Sequence, residues 1–290
     1  MTMTVRIVLQ ETARFFAKHG LEAARLEAEL LLAHLLGVER LRLYTDPEQP
    51  LSGTELNRYK ELIRRRLSGE PLAYITGKRN FLKWDFTVTP AVLVPRPETE
   101  ILVEKTLALL EEETSGQILE LGTGSGVITI ALAHYLPAFY FEAVELSPAA
   151  LAVASENAAR HQLSERIAFF EGDLYEALPA GRDHAYTAIV SNPPYIPSGV
   201  IPSLAREVRK EPRQALDGGP DGLQIIRRII SRAAEFLAPG GFLALEHGHD
   251  QKPMVERLAR EAGFSAIQSY HDYSGFPRIT ICQLCGSRSA

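Results

Sequence analysis

Apolar residues in the first quarter of the chain recur every three or four positions, the spacing of one face of a helix. They form three stripes: Val8, Phe15 and Phe16, then Leu26, Leu30, Leu31, Leu35 and Leu36, and finally Leu56, Tyr59, Ile63 and Leu67. Gly37 and Gly69 follow two of the stripes and can end helices there. The pattern predicts a small all-α domain over residues 1–77. It is either a stabilising element or a substrate-recognition domain.

Short aromatic and β-branched runs replace the helical spacing after Gly77. The first run contains Phe81, Trp84, Phe86 and Val88, and the second covers residues 91–94 before Pro95. Residues of these types favour strands. We therefore predict a β-hairpin linker over residues 78–95.

Strand-like and helix-like segments alternate through residues 96–290. The strands are expected at 118–121, 140–144, 167–170, 188–191, 242–246, 265–270 and 278–284. Such alternation builds an α/β fold, a doubly wound and mostly parallel seven-stranded sheet with helices on both faces. Ligands of such sheets bind at the carboxyl ends of the strands.

Composition narrows the function classes. The 290 residues carry a net charge of −5, which gives no general electrostatic case for nucleic-acid binding. The basic run Arg64–Arg66 lies in a helical pattern, and we interpret it as a solvated face.

No apolar run reaches the ~20 residues of a membrane span. The N-terminus lacks a signal-peptide pattern. We expect a cytoplasmic protein that neither spans nor binds a membrane.

Cysteine and histidine usage predicts no metal site. Cys282 and Cys285 form a single C-x-x-C in a strand-like segment, without the second pair that zinc needs. We interpret both as structural thiols. His247 and His249 flank Gly248 after a predicted strand, and we expect structural roles for them rather than catalysis.

The chemistry centres on the segment Ser191-Asn192-Pro193-Pro194-Tyr195. Prolines cannot continue the preceding strand, so Asn192 is delivered to its carboxyl end. An asparagine oxygen, a stiff backbone carbonyl and an aromatic face together suit a planar –NH2 group held by its two hydrogens. The alternative interpretation is a proline-terminated strand with a structural asparagine turn.

A glycine turn over residues 122–126 indicates the cofactor class. Its G-x-G-x-G spacing lacks the third glycine position of a dinucleotide fingerprint, and no Lys-Ser or Lys-Thr pair makes it a phosphate loop. Glu145 ends the next strand and can accept both ribose hydroxyls of an adenosine. Adenosine without a pyrophosphate on such a sheet predicts S-adenosyl-L-methionine.

The segment Pro95–Glu100 has two interpretations. Prolines and acidic residues are typical of a helix start. Arg96, held stiffly between two prolines, would also suit contact with a carboxylate.

These motifs resemble the class I methyltransferases that modify planar –NH2 groups, and most closely the HemK/PrmC family of release factor glutamine methyltransferases. The similarity covers essentially the whole chain. Residues 69–77 and 94–100 are similar to its linker signatures, 120–126 to its cofactor loop, 191–196 to its substrate motif and 245–248 to its fifth-strand segment.

The resemblance implies methyl transfer from S-adenosyl-L-methionine to the glutamine amide nitrogen in the Gly-Gly-Gln motif of class I peptide chain release factors, proteins of translation termination. It implies cofactor binding by Gly122, Thr123, Gly124, Ser125, Gly126, Glu145, Asp173, Leu174 and Asn192. It implies catalysis by Asn192, Pro193 and Tyr195, and substrate binding by these three with Pro194. Two positions depart from the family pattern: Glu145 stands where many members have Asp, and Leu174 where an aromatic can cover the adenine.

Other functions remain as alternatives. A DNA or RNA adenine amino-methyltransferase shares the Asn-Pro-Pro-Tyr motif, but it needs base flipping and a positive groove. The sister family acting on a ribosomal-protein glutamine has a Pro-Arg-Ser-Pro type segment in place of Pro95–Glu100. A non-enzymatic adapter would not need the intact motifs. We expect release factors as partners, no direct nucleic-acid binding, and a monomer.

Overall fold

The computed structural model describes residues 2–284, whose contacts divide them into two compact units. The first contains the described part of Met1–Lys78 together with Ala205–Lys210. The second contains Arg79–Leu204 and the described part of Glu211–Ala290. The inclusion of Ala205–Lys210 in the helical unit has no counterpart in the hydrophobic pattern.

The helical unit packs its apolar stripes into one core. Its helices are α1 (Val5–Lys18), α2 (Ala24–Leu36), α3 (Arg42–Thr45), α4 (Gly53–Leu67) and α5 (Leu72–Thr76). Phe16, Leu31 and Leu32 are fully buried in that core. Ser52 begins α4 with a reciprocal capping box to Glu55. The hydroxyl of buried Tyr59 donates to the Ala28 carbonyl at 2.8 Å, so α4 is tied to α2.

Arg66 holds the segment Ala205–Lys210 within this unit. Its guanidinium contacts the carboxylates of Glu27 and Glu207, with 2.8 Å from Nη2 to the Glu207 Oε2. Arg206 donates to the Leu67 carbonyl at 3.3 Å. The prediction of a solvated face is therefore wrong for Arg66, whose side chain is 10% exposed, whereas the Arg64 side chain is 74% exposed. The ion pairs with Glu27 and Glu207 explain the burial of Arg66, and the spacing of apolar residues gives no information about ion pairs.

The hairpin is shorter than predicted and lies earlier in the chain. Strands β1 (Lys78–Phe81) and β2 (Trp84–Thr87) form a two-stranded sheet. Leu82 turns the chain with a positive φ of 53°. Residues 91–94 are not a strand, which corrects the expected second run. The Val94 amide donates to the Glu211 Oε2 at 3.0 Å, and not to a neighbouring strand.

The second unit contains the predicted α/β fold. Its remaining elements are α6 (Pro97–Leu109), β3 (Gly116–Leu121), α7 (Val127–Tyr135), β4 (Phe139–Glu145), α8 (Pro148–Arg160), β5 (Ile167–Glu171), β6 (Tyr186–Ser191), α9 (Gln224–Phe236), β7 (Leu237–Glu246), α10 (Lys252–Glu261), β8 (Phe264–His271) and β9 (Pro277–Leu284). The seven strands lie in the order β5-β4-β3-β6-β7-β9-β8. In this described sheet β9 alone runs in the direction opposite to the other six strands. The predicted mostly parallel seven-stranded sheet is confirmed.

Strand order places a topological switch point between β3 and β6. The chain moves outward from β3 through β4 to β5, then returns to the other side of β3 with β6. One core cluster contains residues of α6 and α7, and the other contains residues of α9 and α10. Helices therefore cover both faces, and the crevice beside β3 and β6 is where doubly wound sheets bind ligands.

No helix within residues 2–284 is both long and apolar enough to cross a membrane.

Candidate active site

A cavity of about 510 Å³ opens at the carboxyl ends of β3, β4 and β6. It lies at the switch point, as the topology requires. Of the residues predicted to form the site, ten line it: Gly122, Thr123, Gly124, Ser125, Glu145, Asp173, Leu174, Asn192, Pro193 and Pro194. The cofactor motif and the Asn-Pro-Pro motif, about 70 residues apart in the chain, thus share one cavity.

The glycine turn exposes its backbone to this cavity. Gly122 and Gly124 have positive φ values of 75° and 56°, which side chains rarely adopt. A Cβ built at either glycine would have no heavy atom within 4 Å outside its neighbours. Space for a ligand against the bare backbone therefore lies beside both residues.

Glu145, at the end of β4, presents a carboxylate that the backbone holds in place. Its Oε2 accepts the Gly124 amide at 2.8 Å, and its Oε1 accepts the Ser147 amide at 2.9 Å. Each carboxylate oxygen retains further acceptor capacity. The side chain is thus oriented and still able to accept hydroxyl groups.

Asn192 lies at the end of a buried polar chain. Its Nδ2 donates to the Thr99 Oγ1 at 3.0 Å, and that hydroxyl donates to the Glu246 Oε2 at 2.7 Å. The Tyr195 hydroxyl donates to the Glu246 Oε1 at 3.3 Å. Glu246 thus accepts from two side chains, Thr99 in α6 and Tyr195 in the segment after β6.

Comparisons with known proteins decide the family. A family model described as "PrmC N-terminal domain" matches residues 8–77, and one described as "Methyltransferase small domain" matches residues 98–221. A release factor glutamine methyltransferase from Moorella thermoacetica is 46% identical, covering 96% of this chain and 98% of its own length. Its counterpart from Geobacter sulfurreducens is 44% identical and covers 95% of both chains.

The chain belongs to the HemK/PrmC family. It is an S-adenosyl-L-methionine-dependent methyltransferase, as the sequence predicted. A methyltransferase from Pyrococcus furiosus shares the fold, with a TM-score of 0.51 at 20% identity over 70% of this chain and 89% of its own.

Glu120 gives the cavity an acidic residue, which suits the ammonium group of S-adenosyl-L-methionine. This residue of β3 lines the cavity but is 1% exposed. Its Oε2 accepts from the Thr123 hydroxyl at 2.7 Å and the Thr129 amide at 3.1 Å. Among residues 2–284, its Oε1 is one of two buried side-chain oxygens without a hydrogen-bond partner. Burial raises the pKa of the Glu120 carboxyl to about 7.

Glu120 is the first residue of the motif at 120–126, and the motif alone predicts no role for its side chain. The available signal was an acidic residue inside an otherwise apolar strand, directly before the glycine turn. Buried carboxylates are rare unless they are paired, so an acidic residue at such a position indicates a functional role.

Asp173 and Leu174 lie beside the cavity where the chain leaves β5. Asp173 accepts from the Arg228 guanidinium at 2.9 Å, and its side chain is about half exposed. Leu174 is 9% exposed and has a positive φ of 51°. The cavity is therefore lined by the aliphatic side chain of Leu174 at the position where the family pattern has an aromatic residue.

Gly126 and Tyr195 are the two described site candidates that do not line the cavity. A Cβ at Gly126 would lie 3.0 Å from the Ile130 Cδ1 and 3.3 Å from the Ala154 Cβ, so this glycine permits close helix packing. Burial raises the pKa of the Tyr195 hydroxyl well above its ordinary value. A substrate-packing role for its ring stays a prediction.

Arg96 combines both interpretations of its segment. Its backbone is the N-cap of α6, and Pro97 is the first helical residue. Its guanidinium contacts the Glu211 carboxylate, whose side chain is 1% exposed. The carboxylate beside Arg96 thus belongs to the protein itself, and Arg96 also lines the cavity.

The remaining histidine and cysteine candidates are engaged within the fold. Both ring nitrogens of buried His247 have partners, the Gly248 carbonyl and the Thr280 hydroxyl, each at 2.8 Å. Burial lowers the pKa of His247. Cys282 is a buried free thiol, and Cys285 lies outside the described residues. Within residues 2–284, no group of three or more potential metal ligands occurs.

Proposed function

We propose that this enzyme methylates the side-chain amide nitrogen of the glutamine in the Gly-Gly-Gln motif of class I peptide chain release factors, in the cytoplasm. The observation that carries the proposal is the shared cavity of Asn192, Pro193 and Pro194 with the glycine turn and Glu145. The relatives that match nearly the whole chain are named for glutamine methylation of release factors, which supports this substrate. We assign substrate recognition to the helical unit, over which the N-terminal family model matches.

The cofactor would be held on the β3 and β4 side of the cavity. Glu145 would accept the ribose hydroxyls, and the backbone of Gly122 to Ser125 would approach the ligand closely. Asp173 and Leu174 would lie beside the adenine. The free Oε1 of Glu120 would accept from the ammonium group. When bound, S-adenosyl-L-methionine supplies a methyl group activated by a sulfonium.

Asn192 and Pro193 would hold the accepting nitrogen. An amide nitrogen is a poor nucleophile because its lone pair is delocalised into the carbonyl. The Asn192 Oδ1 and the Pro193 carbonyl would each accept one of its hydrogens and fix its direction. The same oxygens would stabilise the positive charge that develops on nitrogen, because they are oriented before reaction.

Pro194 keeps the Pro193 carbonyl stiff without adding a competing N–H donor. Tyr195, the next residue, would pack against the plane of the substrate amide. Its hydroxyl is bonded to buried Glu246, which restricts the movement of the ring.

The test is methyl transfer to a purified release factor. The enzyme is incubated with S-adenosyl-L-methionine and the release factor, and the Gly-Gly-Gln peptide is analysed by mass spectrometry. We expect one added methyl group on the glutamine and none in a release factor with that glutamine replaced by alanine. DNA and RNA are assayed in parallel at physiological salt, because adenine also presents a planar –NH2 group. Transfer to nucleic acid but not to release factor would overturn the proposal in favour of the adenine alternative.

A further inference from the structure

Three residues far apart in the chain form one buried hydrogen-bonded line. Asn192 follows β6, Thr99 lies in the first turn of α6, and Glu246 ends β7. Register pairing of Ser191 with Leu245 brings the ends of β6 and β7 side by side. Thr99 and Glu246 are 3% and 1% exposed, so solvent cannot replace either partner in the line.

At a pH above the raised pKa of Glu246, which is about 7, its carboxylate is ionised, and the chemistry of the three groups then gives the line one direction. An ionised carboxylate only accepts, and a threonine hydroxyl has one hydrogen to donate. If Thr99 donates to Glu246, it can only accept from Asn192, and the Asn192 amide must turn its nitrogen toward Thr99. The Asn192 Nδ2 lies 3.0 Å from the Thr99 Oγ1, and that oxygen lies 2.7 Å from the Glu246 Oε2, distances that fit this arrangement.

The direction matters because the two ends of an asparagine amide have nearly the same shape. Packing alone does not decide which end faces a ligand, whereas hydrogen-bond partners do. With Nδ2 committed to Thr99, the Oδ1 is left on the opposite edge of the amide in a residue that lines the cavity. An acceptor is what a substrate –NH2 group requires.

We propose that Thr99 and Glu246 are positioning residues that fix the Asn192 amide with its oxygen toward the substrate nitrogen. The inference rests on the proposed function, since it assigns a cause to the orientation that methyl transfer needs. Thr99 belongs to the Pro95–Glu100 segment, so this segment acts in catalysis through Asn192 as well as by starting α6.

The first test is a double-mutant cycle. Thr99→Val keeps the shape and removes the hydroxyl, and we expect kcat to fall by roughly 10-fold to 100-fold, the scale of one preorganised group or less. In an Asn192→Ala background the same change should have almost no further effect on kcat, because Thr99 acts through Asn192. Thr99→Ser, which restores the hydroxyl, should recover most of the rate.

A matched control separates this role from helix stability. Thr106 lies in the same helix, is fully buried, and donates to the Leu102 carbonyl at 2.8 Å. Thr106→Val should lower the melting temperature without a comparable change in kcat. Equal losses of kcat from Thr99→Val in the wild-type and Asn192→Ala backgrounds would overturn the inference.

Glu246→Gln tests the direction itself. The glutamine amide can donate to Thr99, which frees the Thr99 hydrogen for the Asn192 oxygen and turns the amide nitrogen toward the cavity. We expect a fall in kcat of ~10²-fold with a folded protein, since a donor would then face the substrate donors. A Glu246→Gln enzyme with wild-type kcat would contradict a directing role for the carboxylate.

A second measurement needs no substrate, so it tests the line even if the release factor is not methylated. The sequence has four asparagines, Asn57, Asn80, Asn157 and Asn192, and 15N-asparagine labelling gives a spectrum that single substitutions assign. The Asn192 –NH2 resonance should shift in Thr99→Val and stay near its wild-type position in Thr99→Ser. Its insensitivity to Thr99→Val would overturn the inference, whereas wild-type failure to methylate a release factor would overturn only the proposed substrate.

Discussion

Two buried glutamates lie near the carboxyl ends of parallel strands, and of the two only Glu120 lines the cavity. They also differ in what their oxygens contact. Glu120 on β3 and Glu246 on β7 are each 1% exposed, and burial raises the pKa of each to about 7. Both oxygens of Glu246 accept from side chains of the protein. Glu120 keeps one oxygen without a partner among residues 2–284. The proposed cofactor side therefore retains a carboxylate oxygen without a partner in the described structure, whereas both carboxylate oxygens on the proposed substrate side are bonded within the protein.

The largest expected effect is on the cofactor side. Gly124→Val would place a branched side chain in the open space beside the turn, at a φ of 56° that valine rarely adopts. We expect no measurable binding of S-adenosyl-L-methionine by calorimetry. Gly37→Val is the control, since Gly37 ends α2 at a φ of 65° with similar open space. Wild-type affinity in a folded Gly124→Val protein would remove the glycine turn from the cofactor site.

A second substitution acts on the substrate side. Asn192→Ala should lower kcat by roughly 10²-fold or more, the effect of losing one preorganised acceptor, and leave most cofactor affinity intact. Asn80→Ala, at an exposed position of β1, provides the control. Turnover near the wild-type rate in Asn192→Ala would reduce the motif to a structural turn.

The two glutamates can be compared directly through ligand affinity. Glu120→Gln should weaken binding of S-adenosylhomocysteine by roughly 10-fold to 100-fold, because hydrogen bonds to charged groups contribute about 1.5–3 kcal/mol. Glu246→Gln should change this affinity by no more than about 3-fold, since its oxygens contact only protein side chains in the described structure. Calorimetry measures both. Equal losses in the two variants would break the distinction between the two sides.

The smallest effect is on the pH dependence of stability. The folded pKa of Glu120 is about 7, above its ordinary value of 4.5, so folding takes up a proton between these values. This contribution to stability is fully present below pH 4.5 and is lost as the pH rises through 7. Glu120→Gln should make the unfolding free energy less steep over this range, by at most roughly 1.4 kcal/mol per pH unit. Saturating cofactor should flatten the wild-type curve in part and leave the contribution of Glu246. A Glu120→Gln curve as steep as that of the wild type would contradict the raised pKa.

Local motifs made much of this site predictable. The glycine turn and Asn192 each follow a strand, and Glu145 ends one. The apolar residues already indicate these strands, and parallel strands bring their ends together. The apolar run at 91–94 misled the prediction because Val92 and Val94 are buried outside any strand. Apolar β-branched residues are favoured at buried positions whether or not their backbone amides form hydrogen bonds to a neighbouring strand.

The partners of the Asn192 side chain could not be predicted from the sequence pattern. Thr99 and Glu246 are separated by 147 positions, and neither stands out from its segment. A threonine in a first helical turn and a glutamate ending a strand each have ordinary local explanations. Their joint role depends on α6 lying beside the ends of β6 and β7, which only the three-dimensional arrangement shows.

The discontinuity of the helical unit limits how this protein can be divided. The chain leaves that unit after Lys78, returns at Ala205 and leaves again after Lys210. A fragment starting at Arg79 would retain Glu207 and Arg206 but lose Arg66 and the Leu67 carbonyl that they contact. In that fragment the segment Ala205–Lys210, which directly precedes buried Glu211, would lose these contacts. A loss of activity in the fragment that starts at Arg79 could therefore come from the altered segment Ala205–Lys210 as well as from the missing helical unit. Adding residues 1–78 as a separate chain is the matching complementation experiment.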